Sequence, residues 1–287
     1  MESSPSMVVP SSDALPTVYL FHCKTMDGYI FKILIELLHN VIKTACFEIG
    51  RSGIKLRMMD SNRKTLVDLF MESTNFNRYF ISPTLDTGTI HVGLNLNHFY
   101  KMVRCIKKKD QLLLFIEDGR SRDLGIQIIP KDFSRVTISY IKIQNIQNLD
   151  IVLPETMEHS ILVSSAEFNK MCKDMLHMSN TVVISQQDHR IKFACNVGNI
   201  YSREVILGEP LSNEILNIPM DASQIQFTEE YDTEQLIRIL KISGLHSNLV
   251  VYCSQGLPIM FSSRIGNLGH LRIYVKSKKQ VEELLIS

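Results

Sequence analysis

The feature that most constrains the fold is a charge pattern that occurs twice in this 287-residue chain. One matched set comprises Lys32, Glu36 and His39 in the first half and Lys170, Asp174 and His177 in the second, at an offset of 138. The other comprises Lys101 and Arg104 in the first half and Arg238 and Lys241 in the second, at an offset of 137. Basic residues match basic residues, and acidic residues match acidic ones, at nearly one register. An internal duplication is the most economical interpretation.

Each half is predicted to contain two helices separated by short strands. Apolar residues recur at intervals of three and four over residues 28–44 and 94–106, which is the spacing of an amphipathic helix. In the second half, one helix is predicted to begin at Ser164 and another to run over 233–242. The other apolar runs are short and are punctuated by Gly, Ser and Asn, as in a meander. The sequence therefore predicts an α+β fold of two duplicated domains, each with two helices on antiparallel β-sheets.

Two of the predicted strands, residues 134–141 and 199–207, are long and partly apolar. Edge strands of this kind invite aggregation unless another chain covers them. We therefore expect the strands at 134–141 and 199–207 to pair with each other, head to tail, between copies of the chain. Further strands are predicted at 215–218 and 224–228.

The domain boundaries follow from the repeat and from local composition. We expect one domain over residues 17–143 and a second over 159–276, joined by a connecting loop over 144–158. Residues 1–16 are rich in Ser and Pro and predict a flexible extension. Residues 277–287 form a C-terminal tail that is basic and then amphipathic.

The connecting loop is long for a compact domain, and long ordered loops usually have a function. It places Ile151, Leu153 and Pro154 in an otherwise polar segment. These apolar residues either form part of a docking groove or simply pin the loop to a sheet.

Composition excludes several classes of protein. Thirty-one Lys and Arg against thirty Asp and Glu give a net charge of +1, so any basic function must be local. The six cysteines are never closer than 23 residues, which excludes zinc-knuckle spacing and a secreted disulfide framework. They are expected to be reduced, mostly buried thiols of an intracellular protein. No apolar run is long enough to cross a membrane, and the first 16 residues lack the pattern of a signal peptide.

A basic stripe is predicted on each of the four helices, because residues four and three apart share one helix face. The stripes contain Lys32, His39 and Lys43; Asn97, Lys101, Arg104 and Lys108; Lys170, Lys173 and His177; and Arg238 and Lys241. For one helix alone, such a stripe is usually only the solvated side. Four basic stripes in a neutral chain favour a polyanion held by its phosphates. Aromatic residues are sparse on these faces, so duplex backbone is a better ligand than stacked single strands.

No motif for catalysis is present: the sequence contains no HExxH, GxSxG, P-loop or strand-associated GxGxxG. Asp60 is the most suggestive carboxylate, although a turn after a strand explains it better. His270 enters an alternating strand, where a structural role is expected. We therefore predict no enzymatic activity, no metal site and no cofactor.

Four segments, residues 53–79, 92–118, 164–185 and 257–275, resemble the sliding clamps of the proliferating cell nuclear antigen family. The resemblance rests on the Met-Asp-Ser turn, the Leu-Asn…Met helix and the Gly-His-Leu strand, and it covers about residues 18–276. It implies a homotrimeric ring of two-domain subunits whose helices line a hole for duplex DNA. It also implies partners, namely DNA polymerase, clamp loader and repair enzymes, that dock by a short hydrophobic motif. The expected location is the nucleus, or a cytoplasmic replication site if the protein is viral.

The resemblance assigns residues to two surfaces. The DNA-facing residues would be Lys32, Lys43, Lys101, Arg104, Lys107, Lys170, Lys173, Arg238 and Lys241. The docking pocket would use Met59, Leu66, Ile151, Leu153, Pro258 and Tyr274. Lys64 stands where the family usually has an apolar pocket residue, which predicts a more basic rim. His39, Ile33 and Glu234 stand where Lys or Arg is common, and such departures suggest a divergent clamp from a large DNA virus or a second paralogue.

Two functions of different classes remain at this point. The first is a processivity clamp that encircles duplex DNA and has no catalytic activity. The alternative is a clamp-like interaction protein that binds partners without encircling DNA. Oligomer mass separates them, and an enzyme is a distant third.

Overall fold

The computed structural model describes residues 18–85, 88–147, 151–153, 159–198, 200–208 and 227–286. The helices are α1 (Gly28–Val41), α2 (Leu96–Val103), α3 (Ser165–Leu176), α4 (Thr233–Arg238) and α5 (Lys278–Ile286). The strands of the first half are β1 (Tyr19–Thr25), β2 (Thr44–Gly50), β3 (Gly53–Met59), β4 (Thr65–Glu72), β5 (Arg78–Ile81), β6 (Thr89–Asn95), β7 (Gln111–Glu117), β8 (Asp123–Ile129) and β9 (Thr137–Lys142). Those of the second half are β10 (His159–Ser164), β11 (Thr181–Gln187), β12 (Arg190–Val197), β13 (Tyr201–Gly208), β14 (Phe227–Asp232), β15 (Asn248–Cys253), β16 (Ile259–Arg264) and β17 (Gly269–Val275).

The predicted α+β duplication is confirmed by the order of the elements. In each half a strand and a helix precede a meander, and a second helix precedes three further strands. The strand predicted at 215–218 and the N-terminal extension lie outside the described residues, as do parts of the connecting loop and of the strand predicted at 224–228.

One sheet of eight strands crosses the boundary between the two halves. Its order is β10-β15-β16-β17-β4-β3-β2-β6, so β17 of the second half pairs with β4 of the first. This internal joint runs antiparallel from the Gly269–Met71 pair to the Val275–Thr65 pair. A Cβ atom at position 269 would overlap the carbonyl oxygen of Phe70, so the close approach requires glycine.

Strands β9 and β13 each lie at one edge of a smaller sheet, and β5 and β14 lie at the opposite edges. The two smaller sheets have the orders β5-β1-β7-β8-β9 and β13-β12-β11-β14. Sequence matches the β9 and β13 edges to the internal joint. Tyr140-Ile141-Lys142 of β9 repeats as Tyr274-Val275-Lys276, at an offset of 134. Asp68-Leu69-Phe70-Met71 of β4 repeats as Glu204-Val205-Ile206-Leu207, at an offset of 136.

The core lies between the helices and the sheets. Phe31 and Leu34 of α1 and Phe168 and Met171 of α3 are buried with the inward residues of the strands. Five of the six cysteines are buried, and all six are free thiols, as the composition predicted. Burial raises the pKa of the Cys253 thiol to about 12, so this thiol is protonated at neutral pH.

The helices are shorter than the periodicity predicted. Helix α1 ends at Val41 because Ile42 adopts an extended backbone and β2 begins at Thr44. Helix α2 begins at Leu96, where the Asn95 side chain accepts a hydrogen bond from the His98 amide at 3.1 Å. The fourth helix stops at Arg238 and continues as a 3-10 turn over Leu240–Gly244.

The C-terminal residues 277–287, predicted as a tail, contain helix α5. The Ser277 hydroxyl accepts from the Gln280 amide at 3.3 Å, and the Gln280 side chain accepts from the Ser277 amide at 3.0 Å. This reciprocal pair is a capping box, which fixes where the helix begins. Lys278 Nζ then ties the helix to β14 through Glu230, at 2.9 Å.

Asp60 and His270, the two residues considered for catalysis, both have structural roles. Asp60 Oδ1 accepts hydrogen bonds from the amides of Lys64 and Thr65, at 2.8 and 2.9 Å, and so closes the turn between β3 and β4. His270 packs its ring against Phe70, with centroids 5.9 Å apart. Within the described residues there is no group of three or more side chains placed to hold a metal ion. None of the described helices has the length and apolar character needed to span a bilayer.

Candidate nucleic-acid interface and docking surface

Seven of the nine residues predicted to face DNA are exposed, and one of these, Lys241, is ion-paired. The other six are Lys43, Lys101, Arg104, Lys107, Lys170 and Lys173. None of these six is ion-paired with a carboxylate among the described residues. Lys101 and Arg104 lie on and just after α2, and Lys170 and Lys173 lie on α3. Lys107 lies in the turn after α2, and Lys43 lies between α1 and β2. These cations are therefore available to an external anion.

The other three predicted cations have partners within the chain. Lys32 Nζ lies 3.4 Å from the carbonyl oxygen of Ile106 and over the ring of Tyr29. Arg238 pairs with Glu234 at 2.6 Å, one turn earlier on α4. Lys241 pairs at 2.8 Å with Glu36 of α1, across the internal joint. The positive stripe is consequently stronger on α2 and α3 than on α4.

A basic groove follows α2 and was only partly expected from the sequence. Lys107, Lys108 and Lys109 form one wall, and Lys131 and Arg135 of the loop between β8 and β9 form the other. The groove has a volume of about 860 Å³. The lysine run is visible in the sequence, whereas the second wall depends on how the two loops meet.

Three of the predicted docking residues, Met59, Leu66 and Tyr274, belong to an apolar row across five adjacent strands. Cross-strand pairing places Tyr252, Met260, Tyr274, Leu66 and Met59 side by side on β15, β16, β17, β4 and β3. We call these five residues the docking row. It crosses the internal joint and spans about 19 Å, since neighbouring strands lie about 4.8 Å apart. Burial raises the pKa of Tyr274, whose side chain is 4% exposed, so the phenol stays neutral.

Residues 151–153 of the connecting loop lie on the docking row. Ile151 and Leu153 pack against the row, while Val152 between them is 89% exposed. Arg57 donates from Nη1 to the carbonyl oxygen of Ile151 at 3.0 Å, and its Nε pairs with Asp68 at 2.9 Å. The loop is therefore pinned to the sheet and at the same time forms one wall of an apolar surface.

Two docking-row residues were not predicted, and three predicted residues are not in the row: Ile151 and Leu153 pack on it, and Pro258 does not. Tyr252 and Met260 join the row because β15 and β16 are in register with β17, which alternation in their sequences could have suggested. Pro258 precedes β16, is half-buried, and is not among the residues packed in this cluster.

The expected basic rim at Lys64 needs correction. Lys64 Nζ lies 3.3 Å from Asp232 Oδ2, so its charge is compensated by an acidic residue of the second half. The backbone at Lys64 also accepts from the Lys276 amide at 3.0 Å. Lys64 therefore connects the two halves beside the docking row and does not add a free charge to it.

Comparison with protein-family models gives two matches that together cover most of the chain. The model of the proliferating cell nuclear antigen N-terminal domain matches residues 20–152. The model of the C-terminal domain of the same antigen matches residues 153–278. The two matches meet inside the connecting loop, between Val152 and Leu153.

Proposed function

Because this chain belongs to the proliferating cell nuclear antigen family of sliding clamps, we propose that three copies close into a ring around duplex DNA. The docking row tethers DNA polymerase, the clamp loader and repair enzymes that carry a short hydrophobic motif. The chain itself is a scaffold without catalytic activity. It works where DNA is replicated, in the nucleus or at a cytoplasmic replication site.

The observation that carries this proposal is the match between the internal joint and two edge strands. Strands β17 and β4 pair within the chain, and their sequence counterparts β9 and β13 are both edge strands among the described residues. Pairing β9 of one copy with β13 of the next repeats the internal joint between subunits. Such a contact is head to tail, so it produces a closed assembly when the rotation closes.

The repeat also predicts the register of the subunit joint. At the internal joint, His270 of β17 pairs with Phe70 of β4. Their counterparts at the offsets of 134 and 136 are Val136 and Ile206, so Val136 is expected to lie opposite Ile206 of the next copy. The same offsets place Tyr140 opposite Ser202. Val136, Ile138 and Ile206 are 45, 52 and 40% exposed in the single chain, which suits surfaces that a neighbour covers.

A second layer of the joint lies between helices. At the internal joint, Lys241 after α4 pairs with Glu36 of α1 at 2.8 Å. Their counterparts are Arg104 at the end of α2 and Asp174 of α3, which become neighbours when two copies pair. Arg104 then contributes both to the subunit joint and to the basic stripe. Asp174 already lies 3.6 Å from Arg203 of its own chain, so Arg104 of the next copy is its second cationic partner.

The arrangement of cations favours duplex DNA in the hole. Helices α1 to α4 lie on the sheet faces that carry the core, and the exposed cations of α2 and α3 are on their outward sides. Phosphate contacts of this kind hold the backbone without reading sequence, which suits a protein that slides.

Light scattering at micromolar concentration tests the assembly. We expect three times the chain mass of 32.9 kDa, whereas the alternative function predicts one chain mass. Arg104→Ala and Asp174→Ala should each weaken the trimer, and the double variant should weaken it by less than the sum of both. A coupling of about 1 kcal/mol is expected for a close pair of charges.

Lys101→Ala is the control for this double-mutant cycle, because Lys101 lies on α2, about one turn before Arg104. Its effect on the trimer should be small, and it should add to that of Asp174→Ala. A single-chain mass for the unmodified protein would contradict the ring.

A further inference from the structure

In the described part of the second half the basic groove has no counterpart, although the same elements surround its place. There the loop between β16 and β17 covers only residues 265–268, against 130–136 between β8 and β9. The Gly266 amide donates to the carbonyl oxygen of Leu245 at 3.1 Å, and Leu245 is 2% exposed. The second half therefore closes this gap with a hydrogen bond and a buried leucine.

In the first half, the space between the turn after α2 and the β8–β9 loop is open and is lined with cations. At the offset of 137, Lys107, Lys108 and Lys109 stand where the second half has Gly244, Leu245 and His246. The longer loop adds Lys131 and Arg135 on the facing side. The fold does not need these five charges, since the second half forms the same elements without them.

The two carboxylates of the groove are engaged by neighbouring donors. Asp110 is buried, and its Oδ2 accepts from the Lys107 amide at 2.9 Å, which fixes the turn that presents the three lysines. Asp132 accepts from the Ser134 hydroxyl and amide, at 2.8 and 3.2 Å. These hydrogen bonds, and to a smaller extent Lys107, lower the pKa of Asp132.

None of the five groove cations has an ion-pair partner among the residues that the structure describes. Clustered like charges repel each other, and an anion bound from outside relieves this repulsion. A cluster that weakens the fold and has no structural task is expected at a binding site.

We propose that this groove binds the phosphodiester backbone of duplex DNA, with Lys109, Lys131 and Arg135 extending the contact beyond Lys107 and Lys108, which were already predicted to face DNA. The inference rests on the proposed clamp function and adds a specific phosphate site to it. The groove continues the line of Lys101 and Arg104 beyond the end of α2. No aromatic side chain is among its lining residues in the described part of the chain, which disfavours stacked single-stranded bases.

The position of the groove gives it a role at the subunit joint. Thr137, the first residue of edge strand β9, lines it. Each ring then has three such grooves, one beside every β9–β13 joint, and none at the internal joints. The groove contacts with DNA consequently follow the threefold repeat of subunits, whereas the helix stripes lie on both domains.

Fluorescence anisotropy of a short labelled duplex tests this site with the full-length chain. The variant Lys108→Glu with Lys109→Glu should lower affinity at low salt by about tenfold or more. The slope of log affinity against log salt should become shallower by roughly 0.9 for each phosphate that the variant no longer neutralises. Lys131→Glu with Arg135→Glu should act in the same direction from the opposite wall.

A matched control carries the same change in charge elsewhere. Lys24→Glu with Lys55→Glu alters two lysines on outward positions of β1 and β3, and should leave affinity within about twofold. Light scattering checks that every variant keeps its mass. Arg135 lies next to the β9–β13 joint, so the variant Lys131→Glu with Arg135→Glu could dissociate the trimer. In that case the variant Lys108→Glu with Lys109→Glu decides the result.

A third variant, Lys101→Glu with Lys170→Glu, separates this inference from the proposed function. If it weakens duplex binding while both groove variants behave like the control, the groove is not a DNA site and the clamp proposal stands. If none of these variants differs from the control, both are wrong. An equal loss on single-stranded DNA, or displacement of duplex by inorganic phosphate at matched ionic strength, would overturn the assignment to duplex backbone.

Discussion

The double variant Val136→Asp with Ile206→Asp should be a monomer at concentrations where the unmodified protein is a trimer. In the proposed register these two residues face each other across every subunit joint. Two carboxylates then replace an apolar cross-strand pair, and like charges directly opposite destabilise a sheet. Both side chains are exposed in the single chain, at 45 and 40%, so neither change opens a cavity within the subunit. Light scattering gives the mass, and far-UV circular dichroism checks the fold.

The matched control is Val136→Lys with Ile206→Asp, which places opposite charges at the same positions. This variant should recover the trimer, because opposite charges across a strand pair are favourable. If both double variants are equally monomeric, the register derived from the internal joint is wrong. If both remain trimeric, the joint does not use β9 and β13.

Truncating the docking surface should abolish partner binding and leave the subunit folded. Met59→Ala with Leu153→Ala removes the end of the docking row on β3 and one loop residue that packs on it, both only partly buried. Removing an apolar anchor typically costs about 2 kcal/mol or more, which is about 30-fold in affinity. Calorimetry with a peptide containing a glutamine and two aromatic residues measures this effect.

Tyr274 is less suitable for this experiment, although it lies at the centre of the docking row. It is 4% exposed, so Tyr274→Ala would leave a cavity, and its effect on binding would be mixed with reduced stability. Val152→Ala is the matched control, since Val152 lies between two loop residues of the site and is 89% exposed. Its peptide affinity should equal that of the unmodified protein. Unchanged affinity in the folded Met59 and Leu153 variant would place the partner site elsewhere.

The sequence predicted the elements that depend on local periodicity. The repeat between Lys32 and Lys170 located the duplication, and the apolar spacing located α1 and α2, because a helix face is a property of nearby residues. Two further features were readable but missed. Glu234 and Arg238 are four apart on a helix, the spacing of an ion pair, and Ser277 with Gln280 is a capping box.

Features that join distant segments could not be read in this way. The Lys241–Glu36 ion pair connects residues of two domains, so its effect on the stripe depends on how the domains meet. Met260 enters the docking row only through the register of β16 with β17. Arg135 reaches the groove only because its loop lies beside the turn after α2. Tertiary structure determined each of these.

Retention on circular DNA tests encirclement most directly. The chain is first dissociated and then allowed to reassemble with a closed circular duplex, and the complex is passed through a sizing column at high salt. High salt screens phosphate contacts, so only a topological link keeps protein on DNA. The ring predicts that protein elutes with the circle and is released when a restriction enzyme linearises it. Equal retention on linear and circular DNA, or none on circles despite a confirmed trimer, would contradict encirclement.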